Sequence, residues 1–181
     1  MEVLVTGGAG FIGSNIVDRL IKEDYKVIIV DNLTTGKKEN LNNQAKFYHL
    51  DLREQELKKV FKENKITHVI HHAAQIDVQK SIEAPLFDAQ NNILGTINLL
   101  ENCKKHEVKK IIYASSAAVY GEPNFLPITE EHAIKAMSPY GITKHTPEHY
   151  IKMYNKIYGL KYTIFRYANA YGPRQDPKGE G

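Results

Sequence analysis

A short apolar run that breaks into glycines limits this chain more than any other feature. Val3, Leu4 and Val5 lead into Thr6-Gly7-Gly8-Ala9-Gly10-Phe11-Ile12-Gly13, after which Ile16, Val17, Leu20 and Ile21 recur at helical spacing. The run predicts a buried parallel strand, and the recurrence predicts a helix directly behind the glycines. Glycine tolerates φ > 0 and lets backbone approach backbone, so the strand can turn at once into the helix. A diphosphate can then lie against amide N–H groups at the helix's positive end.

Strand and helix patterns alternate through the remainder. Further strands are predicted over residues 26–30 closed by Asp31, 46–50, 67–71, 109–114 and 162–165. Helices are predicted around Leu57, Val60 and Phe61, from Pro85 through Cys103, and from Ser138-Pro139 to Gly159. Serine is a favoured N-cap, proline is tolerated in the first turn, and glycine is a common stop. Strands separated by helices pair in parallel with right-handed crossovers, which predicts an α/β, Rossmann-like doubly wound sheet with helices on both faces. Residues 1–166 are expected to form this domain, and residues 167–181 to begin a second, substrate-binding region.

Bulk properties exclude several classes. The chain has 181 residues, 42% hydrophobic and 25% charged, suiting one packed domain. Its net charge of +3 is spread along the sequence, too little for a nucleic-acid footprint. No apolar run reaches membrane-spanning length, Met1 leads straight into a strand, and Cys103 is the only cysteine. A cytoplasmic location is expected, with no membrane and no nucleic acid as partner.

Gly8-x-Gly10-x-x-Gly13 fits the dinucleotide fingerprint, and Gly7-x-x-Gly10-x-x-Gly13 fits the related short-chain dehydrogenase spacing. Asp31 follows the second strand, where a carboxylate accepts from ribose hydroxyls and repels a 2′-phosphate, so NAD is expected over NADP. A turn residue at Asp31-Asn32 is the plainer alternative. Asp51, ending the third strand, reads equally as an adenine contact or a helix cap. His71 and His72 are adjacent on a strand and point to opposite faces, so they cannot converge on one ion; no metal site is expected. The alanines of His72-Ala73-Ala74-Gln75 leave room for a cofactor beside the backbone.

Tyr140 and Lys144 stand one helical turn apart, where an ammonium favours the phenolate. Ser116 lies near the carboxyl edge of the sheet, where such folds bind ligands, and can hydrogen-bond a reacting oxygen. By itself the Tyr-x-x-x-Lys pair would read as a surface feature; with the glycine loop and Ser116 it reads as a hydride-transfer site. Pro147 falls inside the same helix and is expected to kink it, at about 3 kcal/mol in a regular interior.

These segments, with Asn91-Asn92-Ile93-Leu94-Gly95-Thr96, Ser115-Ser116-Ala117-Ala118-Val119-Tyr120-Gly121 and Arg166-Tyr167-Ala168-Asn169-Ala170-Tyr171-Gly172-Pro173-Arg174, carry a resemblance. The chain resembles the extended short-chain dehydrogenase/reductases, and among them the nucleotide-sugar epimerases. The resemblance implies Tyr140 as acid/base, Lys144 as its partner and holder of the nicotinamide ribose, and Ser116 on the sugar oxygen. It implies an NAD site lined by Gly7, Gly10, Phe11, Ile12, Gly13, Asp31, Asn32, Asp51, Leu52, His72, Ala73, Ala74, Gln75, Asn91, Tyr167 and Ala168. Asn169 would meet the phosphates of a UDP-hexose, and the complete protein would be a homodimer. Related 4,6-dehydratases carry an acidic pair where this chain has Ala117 and Ala118, which favours epimerisation over dehydration; a dehydratase or a simple dehydrogenase on the same scaffold is the second reading. A non-catalytic NAD-binding module remains the third reading. The family's C-terminal substrate lobe has no counterpart in these 181 residues, so NAD affinity with little turnover is expected of the chain alone.

Overall fold

The computed structural model describes residues 1–176. Its six strands are β1 (Glu2–Thr6), β2 (Lys26–Asp31), β3 (Lys46–His49), β4 (Ile66–His71), β5 (Lys110–Ser116) and β6 (Lys161–Tyr167). All pair in parallel, in the order β3-β2-β1-β4-β5-β6. The chain therefore winds outward from β1 in one direction and resumes beside β1 with β4 in the other. That reversal leaves a crevice beyond the carboxyl ends of β1 and β4, the usual ligand position in open α/β sheets.

Helices cover both faces because the strands are apolar on both. Leu4, Ile28 and Val30 pack with Leu57 and Phe61 of α2 (Leu57–Glu63), Leu99 and Leu100 of α5 (Gly95–Lys105) and Ile151 of α6 (Pro139–Tyr158). Val3, Val5, Val27 and Ile29 face the other way, against Val17, Ile16 and Leu20 of α1 (Phe11–Lys22). Alternate residues of one strand thus feed two cores.

The helix from Pro85 includes a wide turn that hydrophobic spacing does not show. It comprises α4 (Pro85–Ala89), a π-helical turn (Gln90–Leu94) and α5, preceded by a short α3 (Val78–Glu83). Strands β5 and β6 are longer than predicted. The β5–β6 ladder continues to the pair Ser116↔Tyr167, so Ser116 ends the strand and the boundary expected after residue 166 lies inside β6.

α6 begins as predicted: the Ser138 side chain accepts from the Gly141 N–H at 3.1 Å, and Pro139 opens the first turn. Gly159 ends it at φ 75°. Pro147 does not break it; α6 runs on to Tyr158. Beside this point the Lys144 carbonyl accepts from the hydroxyls of Tyr113 at 3.1 Å and Ser115 at 3.4 Å, both on β5. These strand hydroxyls tie the proline-containing helix to the sheet. Among the described residues, no helix is long and apolar enough to cross a membrane.

Candidate active site

The glycine loop is shaped by backbone that no side chain could share. Gly7 adopts φ 71°, and a Cβ there would lie 2.7 Å from the Ala73 amide nitrogen. A Cβ on Gly13 would stand 2.1 Å from the Gly7 carbonyl oxygen, and one on Gly10 at 3.3 Å from the same atom. No side chain caps the N-terminus of α1. Its first-turn amides, beside Phe11 and Ile12, therefore form a cradle suited to a diphosphate.

Asp31 ends β2 and is buried. One carboxylate oxygen accepts from the Ala9 N–H at 3.0 Å, the other from the Leu33 N–H at 2.8 Å. It is a turn residue, as the plainer reading had it, and it also anchors the glycine loop. Each oxygen retains acceptor capacity, so a ribose contact stays open to it.

Asp51 is engaged within the fold. Arg53 donates to it through its guanidinium and its backbone N–H, and Asn32 donates at 2.8 Å. The Arg53 bonds hold its carboxyl down to about 2, against the opposing effect of burial. These four donors occupy its two oxygens, and the bond from the Arg53 N–H caps the turn that precedes α2, which itself begins six residues later. Leu52 packs its side chain into the core, and its carbonyl accepts from Asn98 at 2.6 Å.

At the end of β4 the two histidines separate, as strand geometry requires. His71 is buried between Thr6 at 2.7 Å and Thr96 at 2.8 Å. Both ring nitrogens of His72 are buried and find no partner among the described residues, and the ring faces that of Tyr167, with centroids 5.8 Å apart. Burial, helped by the Lys144 charge, lowers His72 to about 4. A neutral imidazole with an unspent donor and acceptor beside the cradle is a binding group awaiting a partner. Ala73 and Ala74 continue the loop, but Gln75 is spent internally, donating to Asp88 at 2.9 Å and to the Asp77 carbonyl at 2.8 Å. Asn91 donates to the Phe87 carbonyl one turn back. Asn92, which had no assigned role, is buried and bonds Gln75, Asp88 and Thr143.

The serine pair divides by face. Ser115 is buried and donates to Glu148 at 2.7 Å, whereas Ser116 accepts from the Ala118 N–H at 3.2 Å and starts the 3₁₀ turn Ala117–Val119. That turn lies against α6 so closely that a Cβ on Gly141 would come within 2.7 Å of the Ala118 carbonyl. Gly141 thereby brings Ser116 up to the helical turn of Tyr140 and Lys144. The Tyr140 N–H donates to Ser81 at 3.1 Å, which fixes the start of this turn. Lys144 is 4% exposed, with its ammonium 4.8 Å above the Tyr113 ring. Burial lowers it to about 8, and the charges of Asp88 and Glu148 act against that fall.

Sequence reasoning missed the supports beneath these groups. Glu148 is buried, doubly bonded to Arg166 at 3.0 and 2.7 Å, and Arg166 also donates to Tyr120 at 2.9 Å. The available signal was a set of acidic residues, Asp88 and Glu148, inside otherwise inward-facing helical turns. Beyond β6 the chain returns over α1: Asn15 donates to the Pro173 carbonyl at 3.0 Å and Arg174 pairs with Asp18 at 2.7 Å. Ala168 and Asn169 are exposed on this crossing. Residues 177–181, the end of the stretch expected to begin a substrate-binding region, lie outside the described residues. Among the described residues, no group of three or more metal-ligating side chains is present.

The same architecture is found in known proteins. The family described as "NAD dependent epimerase/dehydratase family" matches residues 3–181. A Methanocaldococcus jannaschii protein, provisionally named a UDP-glucose 4-epimerase, is 55% identical over 98% of this chain, which spans 59% of that relative's length. The solved UDP-glucose 4-epimerase of Thermotoga maritima with UDP-glucose is 48% identical, with a TM-score of 0.97 over 99% of this chain and 59% of its own. That of Thermus thermophilus, in complex with NAD, is 47% identical at a TM-score of 0.96, with the same coverage. The chain thus spans about three-fifths of the relatives it matches.

Proposed function

Because the chain belongs to the NAD dependent epimerase/dehydratase family, we propose that it is the cofactor domain of a nucleotide-sugar 4-epimerase interconverting UDP-glucose and UDP-galactose. What supports this reading is that the turn begun by Ser116 packs on α6 at Gly141, between Tyr140 and Lys144, and that His72 lies beside Gly7 of the glycine cradle. The cradle's free amides, the Asp31 carboxylate and the His72 imidazole fit NAD, which when bound supplies a reversible hydride acceptor. The relatives' names support the substrate class.

Tyr140 takes the proton of the sugar 4-hydroxyl and later returns it, and Ser116 hydrogen-bonds the same oxygen. Lys144 supplies the positive charge that favours the tyrosinate and donates to the nicotinamide ribose. Between proton removal and return the 4-keto sugar presents its other face, which inverts the centre. Ala117 and Ala118 offer no carboxylate for the additional proton transfer that water elimination needs, which favours epimerisation over a 4,6-dehydratase on this scaffold. Residues from 167 onward begin the region that holds the UDP-hexose, with Asn169 near its phosphates.

α6 presents Ile142, Tyr150, Met153 and Ile157, between 40 and 59% exposed, at helical spacing. This stripe supports a homodimer formed through α6, and Met153→Glu should dissociate it in light scattering. To test the function, the complete protein is assayed for UDP-glucose/UDP-galactose interconversion beside Tyr140→Phe. The parent is expected to carry NAD and interconvert the sugars without net NADH. The variant should keep NAD and lose at least about a hundredfold in turnover. A 6-deoxy-4-keto product, or a Tyr140→Phe enzyme at full rate, refutes the reading.

A further inference from the structure

Two buried opposite charges lie at the centre of the candidate site. Lys144 is 4% exposed and Asp88, on α4, is fully buried. Among the described residues, neither forms an ion pair. The donors to Asp88 are all neutral: Gln75 at 2.9 Å, Asn92 at 3.0 Å and the Thr143 hydroxyl at 2.6 Å. Hydrogen bonds satisfy its oxygens and leave its charge without compensation, which a buried site tolerates poorly. Thr143 is the residue before Lys144, so the bond that secures Asp88 also joins it to the turn carrying the ammonium.

Two carboxylates act on Lys144, and Asp88 is the one with no ion pair of its own among the described residues. Glu148, one turn on, is matched by the bidentate guanidinium of Arg166 from β6. From β5 comes the Tyr113 ring, and from β4 come His71 and His72, both held neutral by burial. Tyr140 stands one turn before. We propose that Asp88 is a positioning residue that compensates the buried Lys144 ammonium through space and, by way of Thr143, fixes the turn on which Tyr140 and Lys144 sit. The same carboxylate holds Gln75 and Asn92, so it joins the loop after β4, the π-helical turn and α6 at one point. The π-helical turn fits this role, since such turns re-aim helix side chains and recur at functional sites. The catalytic meaning of the arrangement rests on the function proposed above, whereas the charge coupling is measurable in this chain without cofactor.

The experiment is a double-mutant cycle on Asp88→Asn and Lys144→Met, read by urea unfolding at pH 7 and near pH 10.5. It is paired with NMR titration of the Lys144 side chain. Asp88→Asn should lower the Lys144 midpoint by about one pH unit, from near 8. It should also destabilise the Lys144→Met background much less than the parent, and this difference should close near pH 10.5, where the lysine is neutral. Thr143→Val, which keeps the carboxylate charge, should leave the midpoint close to its parent value. Folding of the double variant where Asp88→Asn alone does not fold would support the proposal. Equal losses in both backgrounds, an unmoved Lys144 midpoint, or failure of both Asp88→Asn proteins to fold would overturn it. Loss of epimerase activity with the coupling intact would count only against the proposed function.

Discussion

Replacing Lys144 with methionine should make this chain more stable while removing the ammonium that the proposed chemistry uses. Burial brings the ammonium from an ordinary 10.5 to about 8. At 1.36 kcal/mol per unit, carrying this charge inside the fold at neutral pH costs about 3 kcal/mol. That difference already includes the attraction of Asp88 and Glu148. Methionine fills similar space without a charge and forfeits the cation–π contact with Tyr113, roughly 1 kcal/mol. A net gain of about 2 kcal/mol corresponds to a melting temperature higher by on the order of 5 °C for a chain of this length. The pH dependence gives the sharper check. With its folded pKa below the unfolded one, Lys144 binds fewer protons in the folded chain between about 8 and 10.5. Parental stability therefore gains from this group as pH rises through the window, and the variant's advantage shrinks across it. Calorimetry at pH 7, 9 and 10.5 measures this directly. A variant no more stable than the parent at pH 7, or an advantage equal at pH 7 and 10.5, would refute the argument.

Other consequences are as specific. Gly13→Ala sets a methyl 2.1 Å from the Gly7 carbonyl oxygen, so the loop must distort; NAD affinity by calorimetry should fall at least about a hundredfold, as near-contacts at a phosphate cradle predict. His72, lowered to about 4, binds fewer protons in the folded than in the unfolded chain between there and 6.5. Stability should therefore drop as pH falls through that range, and His72→Phe should flatten the drop in urea titrations. Arg166→Met leaves the buried Glu148 carboxylate with the half-exposed Lys152 ammonium at 4.0 Å as its remaining ion pair among the described residues and should lower stability by about 3 kcal/mol, whereas the pair Arg166→Met/Glu148→Leu should recover most of it.

Much of this protein is legible one residue at a time. The strand–glycine–helix start, the alternation that forces parallel crossovers, and the caps at Ser138 and Gly159 depend on local rules of φ, hydrogen bonding and side-chain period. So do the placement of Tyr140 and Lys144 on one face and the divergence of His71 from His72. These rules act over a few residues, and the structure obeys them. Tertiary structure decided what depends on partners distant in the chain. Asp51 is claimed by Arg53 and Asn32, and Gln75 by Asp88, because buried polar groups take whatever donors the fold delivers. Ser116 joins β5 because β6, fifty residues on, extends the ladder to Tyr167. α6 runs through Pro147 to Tyr158, and Tyr113 and Ser115 from β5 donate to the carbonyl of Lys144 beside it. Local pattern names the candidate reacting groups; the low-dielectric interior that tunes Lys144 and buries the His72 ring exists only once the sheet and helices have closed around them.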